Sequence, residues 1–339
     1  MPTILELFNQ REVLTYLEQQ QPAPYFGESL FPEVKRNSLE FDVLVGADRT
    51  PVSAVVHAFD TESVIRSRQA EMQDLKLFLI KHKNQLTERE IIALENPRDN
   101  EEKVFLMTQV YNDLDRLVRG VRARVERFRM EALANGKITV VENNLNLTVD
   151  YHVPPEHQEA LTTTAWDQPD ADPIADIQRW SEELDGMPTR ALTSTKVFGK
   201  ILRNKNVIAA VVGVSGRIPT RREVNDYLIA QGLPTIVTYD DKYRDEQADG
   251  SYVKKRYFPE DKFVMFGDGA LGETIYGPTA EELRLRRDPS IETYLYGPVL
   301  GMVYETNVDP VSTWKKAVAT AIPSFPAANE VFQAKVLNP

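Results

Sequence analysis

One segment limits the choice of folds more than any other. From Glu101 to Asn135 the apolar residues Val104, Met107, Val110, Tyr111, Leu114, Leu117, Val118, Val121, Val125, Phe128 and Ala132 recur at three- and four-residue steps. That period is the signature of one amphipathic helix. Pro97 and Arg98-Asp99-Asn100 mark its start, and Asn135-Gly136 supplies the C-terminal cap chemistry. At 1.5 Å per residue the helix is roughly 50 Å long. Globular helices average about three turns, so a single compact core is not expected to cover this one end to end.

The flanking sequence is strand-like. GKITVVENNLNLTVDYHV, directly after the helix, predicts a β-hairpin turning at Glu142-Asn143-Asn144. Upstream, residues 3–19 have helical period. QPAPYFGESLFPEVKRN, with Pro22, Pro24 and Pro32, reads as an extended arm that must lie on something. LEFDVLV, VSAVVHAF and LKLFLIKH are strand candidates, the last two separated by the polar DTESVIRSRQAEMQD. A long hairpin with a polar tip fits this pattern, and a hairpin that projects alone needs a partner surface. Ordering an arm and a loop costs about 1–2 kcal/mol per residue, which burial against neighbouring subunits would offset.

Beyond the proline-rich connector HVPPEHQEALTTTAWDQPDADP the pattern becomes alternating helix and strand. Helices are predicted at 172–184, 194–204 and 220–231, the last with a Thr220/Glu223 capping box and a Gly232, Pro234 stop. Strands are predicted at 207–214 and 235–239. The run Val207–Val214 is rich in β-branched residues and reads as a strand buried on both faces. Further strands surround a turn at Asp249-Gly250 and return in VLGMVYET and NEVFQAKV. This part reads as a small α/β domain. There is no repeat of fixed period.

Composition removes several functional classes. The 339 residues include no cysteine, which excludes disulfides, thiolate metal sites and a cysteine nucleophile. A formal net charge of −11 argues against bulk nucleic-acid binding. The N-terminus lacks a secretory pattern, and the eight-residue run VIAAVVGV is too short to cross a bilayer. A soluble protein made in a cytoplasm is expected, and Asn146-Leu147-Thr148 then carries no meaning as a glycosylation site.

The candidate chemical motifs are weak. Gly267-Asp268-Gly269-Ala270-Leu271-Gly272 has the spacing of a dinucleotide loop, but Gly277-Pro278 falls where the required helix should run. A glycine-rich turn is the favoured reading. Gly213-Val214-Ser215-Gly216-Arg217 is out of register for a nucleophile elbow. His152 and His157 are separated by two prolines and do not share a helical face, and His57 and His82 stand apart. Asp170, Asp172 and Asp176 suit a turn and a helix N-terminus better than a calcium loop. Arg116, Arg119, Arg122, Arg124, Arg127 and Arg129 crowd the second half of the long helix. They fit a solvated face with intrahelical pairs, or a surface that meets acidic groups of a neighbouring chain, with DNA contact a third reading.

The order of parts resembles the major capsid proteins of tailed bacteriophages with the HK97-like fold, and more narrowly the lambda-like major capsid protein E family. The resemblance is carried by Val64-Ile65-Arg66-Ser67-Arg68, RARVERFRMEALANGKI at 122–138, Trp166 with ADPIADIQRW at 171–180, DGSYVKKRYFPEDKFVMF at 249–266 and PSFPAANEVFQAKV at 323–336. It implies an α+β capsid fold: an N-terminal arm (1–38), an extended E-loop (39–86), a peripheral domain (87–165 with 297–339) built on spine helix 101–135, and an axial domain (166–296). It implies a subunit that assembles as pentamers and hexamers into an icosahedral virion shell around packaged DNA, without sequence-specific DNA binding. No catalytic site, cofactor, metal or membrane is implied. A separate scaffolding protein, a portal and a decoration protein are implied partners. The inter-subunit contact candidates are Asp60, Glu62, Arg66, Arg68, Arg116, Arg119, Arg122 and Arg127. An encapsulin-like nanocompartment shell is the alternative, and an enzyme using the Gly267–Gly272 loop a remote one.

Overall fold

The computed structural model describes residues 4–20, 22–45, 71–142, 145–184, 188–213, 216–247, 249–287, 297–308 and 311–338. Helix was expected throughout 3–19, yet two short helices form, α1 (Ile4–Leu7) and α2 (Gln10–Gln19). Asn9 separates them, its side chain accepting from the Arg11 amide as the α2 N-cap. The arm is also not uniformly extended. It contains α3 (Phe26–Leu30) and β1 (Glu33–Lys35), and Leu30 and Phe31 are fully buried in the chain's own core.

Strand β2 (Glu40–Val45) pairs antiparallel with β3 (Glu71–Lys76); residues 71–74 were expected in the polar tip, and most of LKLFLIKH instead lies in the next strand, which pairs elsewhere. The strand candidate VSAVVHAF and the tip residues Asp60, Glu62, Arg66 and Arg68 lie outside the described residues. Strand β4 (Phe78–Leu86) follows, then α4 (Glu88–Glu95), capped by a Thr87/Glu90 box. The long helix is α5 (Asn100–Asn135), started by the Asp99 side chain on the Glu102 amide. Gly136 ends it at φ +66°, returning its amide to Ala132. The hairpin β5 (Lys137–Glu142) and β6 (Leu145–Asp150) then forms as the sequence predicts.

The α/β part runs β7 (Gln158–Ala160), α6 (Pro173–Glu183), β8 (Arg190–Thr193), α7 (Thr195–Arg203), α8 (Lys205–Val212), α9 (Arg221–Ala230) and β9 (Thr235–Thr238). The predicted helices and the 235–239 strand are present. The predicted strand at 207–214 is a correction: residues through Val212 form helix α8. The Asn204 side chain accepts from the Asn206 and Val207 amides and starts that helix, and only Val207 is fully buried. A good cap and packing against neighbouring helices outweigh β-propensity, which depends strongly on context. The chain continues through β10 (Lys242–Glu246), β11 (Tyr252–Arg256), β12 (Lys262–Phe266), β13 (Thr274–Gly277), α10 (Ala280–Leu285), β14 (Leu300–Val308), β15 (Val311–Pro323) and β16 (Val331–Lys335).

Two five-stranded sheets organise these elements. One has the order β1-β13-β15-β14, with β4 also paired to β15; the other is β7-β16-β12-β8-β9. The sheets cross the boundaries drawn from sequence. Strand β13, from the segment 166–296, joins the sheet of β15, while β16 and β7 join the sheet of β8, β9 and β12. A proline-rich connector marks a change of pattern along the chain, but strand pairing brings distant segments together regardless of it.

From Val110 onward the long helix is covered within its own chain, by different partners along its length, while Val104 and Phe105 near its start are about 60% exposed. Val110 and Leu114 pack with Ile4, Phe8, Val13, Leu86 and Leu94. Leu117, Val121 and Val125 meet Ala317, Ala319 and Ala321, alternate residues on one face of β15 whose small size lets helix and sheet approach closely. Phe128, Leu133 and Ala134 enter a third cluster with Phe31, Tyr151, Phe266 and Phe325. In the α/β part, Trp166, Trp180, Phe263 and Phe332 stack in a separate core.

Gly136→Ala tests the helix stop. A Cβ there would adopt left-handed backbone and come within 2.7 Å of Val153 Cγ2. The substitution is expected to lower subunit stability by at least about 1–2 kcal/mol, read from chemical denaturation of unassembled protein.

Candidate functional site

The glycine-rich loop does not form a nucleotide site. Gly267–Gly272 follows β12, but β13 rather than a helix comes next, so no helix N-terminus is presented to a phosphate. The carbonyls of Gly267 and Gly269 accept from the Arg190 guanidinium at 2.9 and 2.7 Å. A Cβ at Gly272 would lie 2.0 Å from the Ser324 carbonyl oxygen, so that glycine serves close backbone packing. Among the described residues there is no group of three or more His, Asp or Glu placed to hold a metal ion. Asp172 caps α6 through the Ala175 amide, and Asp176 accepts from the Trp166 indole. Both act as the sequence suggests for a helix start. No helix among the described residues is long and apolar enough to cross a membrane.

The arginine series runs from solvent into the core as α5 proceeds. Arg116 and Arg119 are 79% and 60% exposed and, among the described residues, pair within the helix, with Asp113 at 3.4 Å and Asp115 at 2.8 Å. Arg122 leaves the helix to bond Glu28 at 2.7 Å, and Arg124 reaches Glu142 at 2.8 Å. Arg127 pairs with Glu131 at 2.8 Å and lies 3.6 Å from Glu142. Arg129 is 1% exposed and meets Glu33 at 2.9 Å, Glu126 at 3.3 Å and Glu28 at 3.6 Å, and it donates to Thr274 Oγ1 at 2.8 Å. From Arg122 to Arg129, the acids that answer these charges belong to the same chain. They lie in α3, β1, the β5–β6 hairpin and α5 itself. Sequence reasoning missed Glu28 and Glu33, because nothing local shows a proline-rich arm returning to a helix almost a hundred residues away.

Glu126 is the centre of this arrangement and is fully buried. Its carboxylate accepts from the Gly27 amide at 3.0 Å and the Tyr239 hydroxyl at 3.0 Å, besides Arg129. Burial pushes its pKa up, while Arg129, the Gly27 amide and Tyr239 pull it down. Tyr276 donates to Glu33 at 3.1 Å, and the Thr274 hydroxyl donates to the Phe31 carbonyl at 2.8 Å. The arm, the spine helix, one sheet through β13 and the loop after β9 thus share one satisfied polar network.

Beside this network lies an open groove of about 830 Å³ between β4, α5, the β5–β6 hairpin and the β10–β11 hairpin. Its walls include Phe78, Ile80, Phe128, Val140 and Tyr243. Leu79, Leu145 and Leu147 are about half exposed along it, and Arg119, Arg124 and Arg127 sit at its helix side. The groove mixes apolar walls with charged and polar side chains, among them His82, Glu142, Arg244, Asp245 and Glu246.

The profile of the phage major capsid protein E family matches residues 9–336, nearly the whole chain. The chain belongs to that family. This phage capsid protein is accordingly a structural shell protein of a virion, with the HK97-like fold. Its fold is shared with a protein assigned as a prophage capsid protein of Escherichia coli CFT073. That likeness has a TM-score of 0.65 at 13% identity and covers 97% of this chain and 99% of the other. A phage-related protein of Bordetella bronchiseptica RB50 has a TM-score of 0.57 at 13% identity, over 97% and 98% of the two chains. An encapsulin of Synechococcus elongatus PCC 7942 is more distant, with a TM-score of 0.41 at 10% identity over 96% and 95%. No curated protein matches in sequence.

Arg129→Met tests the buried network of the capsid protein. It leaves Glu126 and Glu33 without their shared cation, and breaking a buried pair from one side typically costs about 3–5 kcal/mol. A fall of that size in the unfolding free energy of the unassembled subunit is expected. Tyr239→Phe, which removes a single donor from Glu126, is expected to cost about 1–3 kcal/mol.

Proposed function

We propose that this capsid protein self-assembles as pentamers and hexamers into a closed icosahedral shell around packaged double-stranded DNA, and that it performs no catalysis. The family match over residues 9–336 carries this reading. The groove floored by Phe78, Phe128 and Tyr243 supports it, since a concave surface with exposed apolar walls of this size suits a neighbouring subunit better than bulk water. Many modest contacts repeated over a shell sum to a stable particle through multivalency. Assembly in the host bacterial cytoplasm with a separate scaffolding protein, a portal and a decoration protein belongs to the same proposal.

Within that reading, residues 1–38 form the N-terminal arm and 39–86 the E-loop, while 87–165 with 297–339 and 166–296 correspond broadly to the peripheral and axial domains. The loop charges Asp60, Glu62, Arg66 and Arg68 contact neighbours. Arg116 and Arg119 remain candidates for the same role because their ion pairs among the described residues are exposed intrahelical ones, which are worth little and exchange easily. Arg122 and Arg127 are proposed to act first within the subunit, holding Glu28, Glu131 and Glu142 in place.

Expressed protein, supplied with a scaffold where needed, is expected to give large closed particles by negative-stain electron microscopy; a subunit that stays monomeric under all assembly conditions would contradict the reading. Reversing Arg66 and Arg68 to Glu is expected to reduce the assembled fraction at low salt, with the effect fading as salt is added. Unchanged assembly at low salt would remove those residues from the interface.

A further inference from the structure

Two charged surfaces of this subunit are left largely unpaired among its described residues. The first is one face of the β10–β11 hairpin. The register sets Lys242 opposite Arg256 and Arg244 opposite Lys254, so four cations share that face. Like charges placed directly across an antiparallel pair destabilise it. Asp240 neutralises Arg256. Lys242, Arg244 and Lys254 are exposed and have no ion-pair partner among the described residues. Glu246, the acid of that face, makes no bond to them, while Asp245 pairs with Lys255 on the opposite face. That opposite face turns inward, with Tyr243 under the Arg127 guanidinium at 5.8 Å. The cationic face also carries Tyr252, an exposed aromatic ring.

The second surface is the tip formed by α4 and the first turns of α5. Residues 88–103 hold six carboxylates against three cations. Glu102 pairs with Arg98 and Asp99 caps the helix; among the described residues Glu88, Glu95 and Glu101 meet no cation within ion-pair distance, and Arg89 and Lys103 meet no acid, so the tip keeps a net negative charge. Glu101, Val104 and Phe105 fall on one helical face, and Val104 and Phe105 are about 60% exposed, as is Ile92 on α4. Exposed apolar side chains bordered by a net acidic rim form an interface-like surface.

The two surfaces cannot serve each other within one subunit. The hairpin packs on α5 at Arg127, and the acidic tip begins at Glu101. At 1.5 Å per residue they are separated by roughly 40 Å of helix, several screening lengths at physiological salt. We propose that they meet between copies: the cationic face of the 242–256 hairpin of one subunit docks on the acidic, apolar-centred tip at 88–105 of the next. The partner is a second copy of this chain. Complementary patches at opposite ends of a rigid helix make a head-to-tail contact, the kind that closes rings. The charges steer the encounter and fix the register, and Tyr252 with Ile92, Val104 and Phe105 supplies apolar area. A polyanion on the hairpin alone would leave the acidic tip unanswered on a chain of net charge −11.

The inference rests on the shell reading, and a charge swap separates the two. The full-length variants are Arg244→Glu with Lys254→Glu, Glu88→Lys with Glu101→Lys, and all four together. Assembled fraction is read by sedimentation at low salt, and folding of each unassembled subunit by its denaturation midpoint. Each one-sided reversal is expected to cut the assembled fraction about tenfold or more, and the fourfold swap to return it to within about threefold of the wild type. Wild-type protein that never forms particles contradicts the shell reading itself. Wild-type particles together with one-sided variants that assemble normally, or a swap that rescues nothing while folding intact, overturn the docking alone. Hairpin reversal that abolishes binding of a double-stranded DNA fragment and leaves assembly unchanged assigns the face to nucleic acid and also overturns it. Should a reversed variant misfold, the cysteine-free chain allows a second readout. Lys254→Cys with Glu101→Cys, joined by a short bis-maleimide, is expected to give a covalent ladder beyond dimers. Dimers only, or no product, count against the contact.

Discussion

The contact between Arg129 and Glu126 sets the terms for much of this subunit. Both side chains are buried, and a buried ion pair is tolerated only when every remaining donor and acceptor is satisfied. Meeting that condition draws in Gly27 from the arm, Glu33 from β1, Thr274 from β13 and Tyr239 from beyond β9. Each is distant in sequence, so the polar network fixes how the arm and parts of both sheets meet the spine helix. Apolar packing supplies most of the driving force along α5, and the network supplies the register. A slipped arrangement would leave a charge buried and alone.

This organisation changes the meaning of the long helix. A helix of that length first suggests a surface awaiting neighbours. Its apolar seam is instead met in succession by the N-terminal helices, the alanine face of β15 and the core around Phe128. Its arginines from 122 to 129 are met by acids of the same chain. Among the described residues, the surfaces left for association are the groove beside Phe128, the cationic hairpin face and the acidic tip. A net acidic chain with its helical arginines already paired also gives little reason to bind nucleic acid through this helix.

Much of this was legible in the sequence where the signal is local. The α5 period, the Asn135-Gly136 stop, the β5–β6 hairpin and the Thr220/Glu223 capping box all depend on neighbouring residues, and all are present in the fold. The order of these parts was enough to suggest the capsid family. The reading failed where tertiary context decides. Val207–Val212 has strand composition, yet Asn204 caps it as a helix. Strand pairing also joins segments distant in sequence, β13 with β15 and β16 with β12, which no local pattern announces. The partners of Arg122 and Arg129 were invisible, because Glu28 and Glu33 lie in a segment with no periodic pattern. The like-charge pairing of the β10–β11 hairpin could have been noticed once a turn at Asp249-Gly250 was placed, since that turn alone sets Arg244 against Lys254.

The central claim is that each subunit satisfies its spine helix internally and associates through surfaces at the helix's two ends. A cryo-electron microscopy map of the assembled particle at side-chain resolution tests it most directly. The account predicts Arg122, Arg127 and Arg129 bonded to acids of their own chain, with the 242–256 hairpin of each copy against residues 88–105 of the next. A map in which those arginines bridge to acids of a neighbouring subunit, with the hairpin face exposed to solvent, would contradict it.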